Sequence, residues 1–385
     1  MNILFLIGSY EEFGGTEKIT TVLANEFAKT KGVHIAAVRG MCQPEKMGLS
    51  AAVGCHNLGG LKDSAVLRQI LIENKIDVII NQWCLPFYVT RYINKARKGL
   101  SVRLISALHG VPDRSKVVIR AEDRVKASRG LGRLVARLRL WAIERVIRAS
   151  IRYVYRNSDK YVVLSKGFIK SFQDYTGLRN TSKLIAIGNP ITLETETGPF
   201  AKKKQILSVG RLDKENKRTN RIVEAWEQAA NDYPDWELVL VGDGPHRPEL
   251  EEYVRSRQIP RVTFAGRQGD VRPYYRESSI FMLTSDLEGF GLVLVECMSY
   301  GVVPIVYGSY VSVFDIIDNG TSGIITPMPY SQEKTVERMR ELMANDNLRR
   351  QMALAAKEKA KFFSLASICA QWACVLGTGQ RKNAN

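Results

Sequence analysis

Short apolar runs alternate with longer stretches of helical spacing along the whole chain. In the first half, apolar runs at 2–8, 34–38, 77–80, 103–108 and 160–164 read as strands. Segments between them place apolar residues three and four apart, as in Ile19, Val22, Leu23 and Phe27, and read as helices. Gly14-Gly15-Thr16-Glu17 opens the first of these, with Thr16 as the expected cap. After Asn189-Pro190-Ile191 the alternation starts over, with strands expected at 206–209, 237–241, 262–265, 280–283, 303–306 and 323–325. Helical spacing fills about 219–231 and most of 331–376, and the tail from Gln380 is expected to fray. Such alternation predicts α/β architecture with parallel sheets covered on both faces. The expected domains are 1–191 and 205–362, joined by a polar linker at 192–204, with 363–385 as a helix returning to the first domain.

Ligands of parallel sheets sit beyond the carboxyl ends of the strands. In the second half the strand at 280–283 is followed by Ser285-Asp286-Leu287-Glu288-Gly289-Phe290-Gly291 and then by apolar Leu292, Val293, Val295, Cys297 and Met298, closed by Gly301. Strand, glycine turn and helix together present unpaired amides and a positive helix end to an anion. Glu288 precedes the helix and Glu296 lies about one and a half turns inside it, so both are expected to reach the crevice above the strand end. Glu296 among apolar neighbours is costly to bury without partners. Arg211 and Lys217 follow another strand of the same half, after Gly210. Two cations, a helix N-terminus and two carboxylates at neighbouring strand ends suit a diphosphate flanked by polyols, the shape of a nucleotide-sugar. Gly242-Asp243-Gly244-Pro245 lacks the third glycine of a dinucleotide fingerprint, and no NAD site is read there. In the first half, Asn81-Gln82-Trp83 and His109-Gly110 end strands, and His109 is either a structural group or a substrate contact.

Composition changes this picture in one respect. At 385 residues, 45% hydrophobic and 25% charged, the chain has the make-up of a two-domain globular protein, but its net charge of +17 implies an acidic partner. Much of the excess lies at 114–156, where arginines accompany an apolar stripe that includes Leu131, Leu134, Leu138, Trp141 and Val146. This segment reads as one or two basic amphipathic helices with a break at Gly130 or Gly132. It could face solvent, an anionic membrane or nucleic acid; no nucleic-acid motif or interleaved base-stacking aromatics accompany it. The N-terminus reads as a strand rather than a signal peptide, and no apolar run approaches the ~20 residues of a membrane span. The six cysteines, Cys42, Cys55, Cys84, Cys297, Cys369 and Cys374, show no Cys-x-x-Cys spacing, and the four histidines are scattered. Free thiols in a reducing cytoplasm are expected, with no structural zinc.

Taken together, Gly210-Arg211-Leu212 with Lys217-Arg218, Val241-Gly242-Asp243-Gly244-Pro245, and Glu288 through Glu296 with Gly301-Val302-Val303-Pro304 resemble glycosyltransferase family 4. The likeness covers nearly all of the C-terminal half and, more loosely, Gly14-Gly15-Thr16-Glu17, His109-Gly110 and Asn189-Pro190. It implies the GT-B fold, two Rossmann-like doubly wound domains facing a crevice, and retaining, metal-independent transfer without a cofactor. The implied donor is a nucleotide-diphosphate sugar, UDP-linked and hexose-type, and the acceptor a lipid-linked or polysaccharide glycan at the inner membrane face. By the resemblance, Arg211 and Lys217 neutralise the donor diphosphate, Glu288 meets the donor sugar and Glu296 holds the ribose. Amides around Gly289, Phe290, Gly291 and Leu292 reach sugar and phosphate, Arg267 lines the base pocket, Gly15 lets the first loop approach, and His109 lines the sugar and acceptor side. Two departures stand out: Arg211 and Lys217 are one residue further apart than in the commonest form, and Tyr307-Gly308-Ser309-Tyr310 replaces a polar turn. The rival readings are a nucleotide-sugar epimerase or hydrolase of the same fold, and a basic membrane- or nucleic-acid-binding protein with a vestigial site.

Overall fold

The structure, a computed structural model, describes residues 1–10, 14–40, 44–194, 198 and 200–377, apart from the Lys116 side chain. Cys42, part of the 192–204 stretch and the tail beyond 377 therefore lie outside the described residues. The chain divides into two units, residues 1–189 with 368–385, and residues 190–367.

The first unit contains β1 (Asn2–Ser9), α1 (Gly15–Ala28), β2 (Gly32–Arg39), β3 (Val53–Asn57), α2 (Ser64–Glu73), β4 (Val78–Asn81), α3 (Phe87–Ala96), β5 (Arg103–Leu108), α4 (Lys116–Ala127), α5 (Gly130–Asn157), β6 (Lys160–Val163), α6 (Gly167–Thr176) and β7 (Leu184–Ala186). Its strands form one parallel sheet in the order β3-β2-β1-β4-β5-β6-β7. The interior strands are apolar on both faces, as a sheet covered by helices on each side requires: every residue of β4 is buried. The order steps outward from β1 in both directions, so the loops after β1 and β4 diverge above a switch point.

The second unit contains β8 (Gln205–Val209), α7 (Thr219–Ala229), β9 (Glu237–Val241), α8 (Arg247–Ser256), β10 (Val262–Gly266), α9 (Arg272–Glu277), β11 (Ile280–Leu283), α10 (Leu292–Ser299), β12 (Val303–Tyr307), α11 (Val313–Ile316), β13 (Ile324–Thr326), α12 (Gln332–Ala344) and α13 (Asp346–Ala360). The sheet order is β10-β9-β8-β11-β12-β13, again all parallel, with its switch point between β8 and β11. Trp226 and Trp236 anchor its core against β8, β9 and α12. A last helix, α14 (Leu365–Leu376), straddles the boundary; from Ile368 onward it counts with the first unit, where the Leu376 carbonyl accepts from Arg103.

Four expectations change. β3 escapes the apolar pattern because it is an edge strand whose backbone pairing with β2 substitutes for side-chain burial; only Val53 of its five residues is buried. Thr16 does not cap α1: Gly14 is the N-cap, without a side-chain bond, and the Thr16 carbonyl instead accepts from the Thr20 hydroxyl. The stretch read as a linker is largely tied into the second unit. Ile191 N–H donates to the Phe363 carbonyl, the Tyr300 hydroxyl to the Glu194 carbonyl, and Lys203 N–H to the Glu277 carbonyl. The basic segment forms two helices, α4 and α5, and the break falls at extended Ser128 and Arg129, with Gly132 inside α5.

Candidate active site

At the switch point of the second unit, two loops meet above the carboxyl ends of β8 and β11. The loop after β8 is folded on itself by Asp213, whose Oδ1 accepts from the backbone N–H of Asn216 at 2.8 Å and of Lys217 at 2.7 Å. The loop after β11 docks on it: Asp286 N–H donates to the Asn216 carbonyl at 2.7 Å, and the Thr284 hydroxyl donates to the Arg218 carbonyl at 3.0 Å. Asp286 then receives two arginines on its two oxygens, Arg218 at 2.6 Å and Arg221 at 2.6 Å. Arg221 is in turn held under the rings of Tyr307 and Tyr330. Asp286 is thus the post on which both loops are mounted.

That mounting brings Lys217 and Glu288 together. Lys217 Nζ donates to Glu288 Oε1 at 2.5 Å, with the two side chains 23% and 14% exposed, so the pair is sheltered yet open to a ligand. Just beyond, Gly291 with φ +87° caps α10, whose first turn at Leu292 and Val293 is half-buried. A helix start leaves its first amides without intrahelical acceptors. Phe290 is buried edge-to-face against Phe363 and pins the turn from behind. Two hydroxyls beside it are buried without a partner among the described residues, Ser285 Oγ and Tyr310 Oη. Burial, with Glu288 nearby, holds the Tyr310 phenol well above its usual pKa, so it stays a neutral donor. Unsatisfied buried hydroxyls are rare in folded proteins and mark a place where a ligand would complete the bonding.

Arg211 stands at the start of the loop after β8, exposed and without an ion pair among the described residues. Its position is set by the turn after β9. Gly210 N–H donates to the Val241 carbonyl and Leu212 N–H to the Asp243 carbonyl. Gly242, at φ +136°, lies so close that a Cβ there would stand 1.8 Å from the Gly210 carbonyl oxygen. The glycines of Gly242-Asp243-Gly244 therefore serve backbone-to-backbone packing under Arg211. Arg267 follows β10, exposed, on the same edge of the sheet. Glu296 is 4% exposed within α10 and accepts from the Thr192 hydroxyl at 2.6 Å and the Tyr275 hydroxyl at 3.4 Å, the partners its burial demands.

The first unit holds Gly15 and His109. Gly15 begins α1. His109 follows β5, and its Nε2 pairs with Oε1 of Gln82 at the end of β4. Burial lowers the His109 pKa to about 4, so the ring is neutral near pH 7, its Nε2–H donating to Gln82. The Gln82 amide nitrogen is left buried without a partner among the described residues. A cleft of about 300 Å³ opens here, lined among others by Gly8, Thr16, Glu17, Arg39, Gln82 and Trp83. Since folding depresses the His109 pKa, its contribution to stability is fully present above the unfolded value near 6.5 and is lost as pH falls toward 4. The melting temperature is expected to drop over that window, and less so in His109→Gln; equal pH slopes for the two proteins would refute the assignment.

Sequence reading had singled out Arg211, Lys217, Glu288 and Glu296. The structure puts Lys217 against Glu288 and carries Arg211 on the same loop as Lys217, while the Glu296 carboxylate is engaged by Thr192 and Tyr275. It missed Asp286, Ser285, Tyr310 and Arg221; the sign available for the first three was their place just after the carboxyl ends of β11 and β12, while Arg221, inside α7, gave none. Among the described residues no group of three or more histidine, cysteine, aspartate or glutamate side chains could hold a metal ion, and no helix is long and apolar enough to cross a membrane.

Residues 192–359 match the family model described as Glycosyl transferases group 1. The match falls within the second unit. The chain is 29% identical over 236 residues to an uncharacterized glycosyltransferase of Haemophilus influenzae, covering 60% of this chain and 65% of that one. It is 31% identical over 175 residues to a Campylobacter jejuni alpha-1,4-N-acetyl-D-galactosaminyltransferase whose name specifies a GalNAc-containing diNAcBac-PP-undecaprenol, covering 45% and 48%. The matches thus span less than two thirds of either relative. Among solved structures, Anabaena HepE in complex with UDP superposes with a TM-score of 0.75 at 18% identity, covering 98% of this chain and all of that one. The fold is GT-B, two parallel-sheet α/β units, and the stretch that matches the family model lies in the second.

Proposed function

We propose that the protein is a retaining glycosyltransferase that moves a hexose-type sugar from a UDP-linked donor to a lipid-linked or polysaccharide acceptor in bacterial surface-glycan biosynthesis. The observation that carries this reading is the Lys217–Glu288 pair, fixed at the switch point beside the start of α10 by loops mounted on Asp286. On arrival of the donor, Lys217 and Arg211 take the diphosphate and stabilise the charge that grows on the leaving nucleotide. Preorganised cations aimed at developing charge are the largest catalytic term such a site offers. Glu288, released from Lys217, accepts hydroxyls of the donor sugar, and the amides at Phe290, Gly291 and Leu292 meet sugar and phosphate. Glu296 exchanges a protein hydroxyl for the ribose, and Arg267 flanks the base. For Gly15 and His109 of the first unit the roles stay those the family resemblance implies, with His109 as a hydrogen-bond partner without charge.

The likeness of residues 192–359 to that family model supports the class of reaction, and the relative whose name includes a diphosphate-undecaprenol supports a lipid-linked acceptor. The excess positive charge at 114–156 supports a place at an anionic membrane face, the cytoplasmic one. No metal or cofactor has a role in this scheme. Thermal-shift screening against nucleoside diphosphates is expected to single out UDP, and transfer from radiolabelled UDP-hexoses is expected to continue in excess chelator. A UDP-insensitive melting curve together with no transfer from any nucleotide-sugar would end the proposal. Activity abolished by chelation would remove its metal-independent part.

A further inference from the structure

The turn that follows β12, Gly308-Ser309-Tyr310-Val311-Ser312, plays no part in the donor reading, yet its side chains reach into the loop that carries Glu288. The Ser309 hydroxyl donates to the Ser285 carbonyl at 2.5 Å and the Ser312 hydroxyl to the Phe290 carbonyl at 3.5 Å, so both ends of that loop are tied to the turn. Between these ties Tyr310 packs against Gly291: a Cβ on Gly291 would stand 3.3 Å from the Tyr310 hydroxyl. Tyr310 is only 3% exposed, and its hydroxyl has no partner among the described residues. An O–H buried in this way opposes folding. Such a group is explained where another state of the protein gives it an acceptor.

Three carboxylates belong to this element, and two are already held. Asp286 is taken by Arg218 and Arg221, and Glu296 by the Thr192 and Tyr275 hydroxyls. Glu288 differs, because its partner Lys217 is a cation that an arriving phosphate would claim. Glu288 stands three residues before Gly291 in the same loop. Burial, then the Glu288 charge and the buried Cys297 thiol, hold the Tyr310 phenol well above its usual pKa, so it keeps its proton beside the carboxylate. A neutral O–H next to an anion forms a hydrogen bond of the stronger, charge-assisted kind.

We propose that Tyr310 is a positioning residue that receives Glu288: when a diphosphate draws Lys217 away, the Tyr310 hydroxyl donates to one Glu288 oxygen and leaves the other to the donor sugar. The proposal rests on the donor reading of the Lys217–Glu288 pair and adds to it the group that holds Glu288 once its lysine is taken. Without that bond the freed carboxylate would face the ligand's phosphates as anion against anion, and the Lys217–Glu288 pair would oppose binding. With it, the ligand-bound state satisfies lysine, carboxylate and phenol together, whereas the ligand-free state leaves the phenol unpaired. Ser309 and Ser312 keep the turn and the loop in register, so that Glu288 has only its own side chain to move.

The test uses the full chain. Calorimetry measures UDP and, separately, inorganic diphosphate, which carries the charge without base or sugar. Tyr310→Phe removes the hydroxyl and keeps the ring. Both ligands are expected to bind it about tenfold more weakly, the worth of one hydrogen bond to a charged group. Its ligand-free melting temperature is expected to stay at or above that of the wild type, because there the hydroxyl has no partner to lose. In a Glu288→Ala background the same change is expected to do nothing, since no carboxylate remains to be received. Equal affinities of wild type and Tyr310→Phe overturn the proposal, and so does a loss that persists in the Glu288→Ala background. A lowered melting temperature in Tyr310→Phe also overturns it, since the hydroxyl would then be bonded in the ligand-free fold. A wild type that binds diphosphate but not UDP counts against the UDP-linked donor and leaves the diphosphate measurements to decide the role of Tyr310. One that binds neither counts against the donor reading itself and removes the proposal with it.

Discussion

Lys217→Ala is expected to lower kcat for sugar transfer by about 10³-fold. The expectation comes from what the lysine does in two states. In the ligand-free protein it is the partner of Glu288 at 2.5 Å, a sheltered ion pair that keeps both side chains in fixed rotamers. With donor bound it is to face a diphosphate whose charge increases as the glycosidic bond breaks. An interaction that strengthens toward the transition state appears in kcat, whereas one made equally with the bound donor appears in KM. Lys217→Ala should therefore depress kcat and kcat/KM alike. Glu288→Gln keeps the shape and the hydrogen bond but not the charge, and should lose less. The two lesions should be far from additive, because each already breaks the same pair. Steady-state kinetics on the two single variants and the double variant decide this. Additive losses, or a Lys217→Ala effect confined to KM, would show that the pair is not a catalytic unit.

Gly242→Ala is the second large effect, and it acts without touching ligand. The added methyl would stand 1.8 Å from the Gly210 carbonyl oxygen, a backbone atom that cannot swing aside, and φ of +136° is itself strained for alanine. The loop after β8 must shift, and Arg211 shifts with it. A displacement of about an ångström in a positioning group costs on the order of 10²-fold in rate. Strain and loop displacement together should also cost about 2–3 kcal/mol of stability. Chemical denaturation and transfer assays on one preparation would measure both. A stable, fully active Gly242→Ala would mean that the turn after β9 is not what holds Arg211. Gly244→Ser provides a companion, since a Cβ there would stand 2.2 Å from the Leu212 carbonyl oxygen.

Asp286 illustrates why the site was only partly legible. Nothing in its local sequence separates it from a solvated loop acid. Its role comes from Arg218 and Arg221, some sixty-five residues upstream, and from the Asn216 carbonyl, all placed there by the pairing of β8 with β11. Glu296, by contrast, could be read as a carboxylate in need of partners, because its apolar neighbours in the helix made burial predictable. Which partners, Thr192 and Tyr275, could not be read, since one comes from the stretch that looked like a linker. β3 was invisible because an edge strand is held by backbone bonds that leave little side-chain pattern.

The sequence alone determined the alternation of strand and helix, the parallel character of both sheets and the position of the glycine turns, because these follow from hydrophobic period and from backbone angles that belong to each residue and its near neighbours. The tertiary structure decided which charges meet. Lys217 finds Glu288, two arginines find Asp286, and Tyr310 comes to lie against Gly291. Those meetings depend on strand order, and strand order is set by the burial of the sheet as a whole, a quantity that no local window of the chain contains.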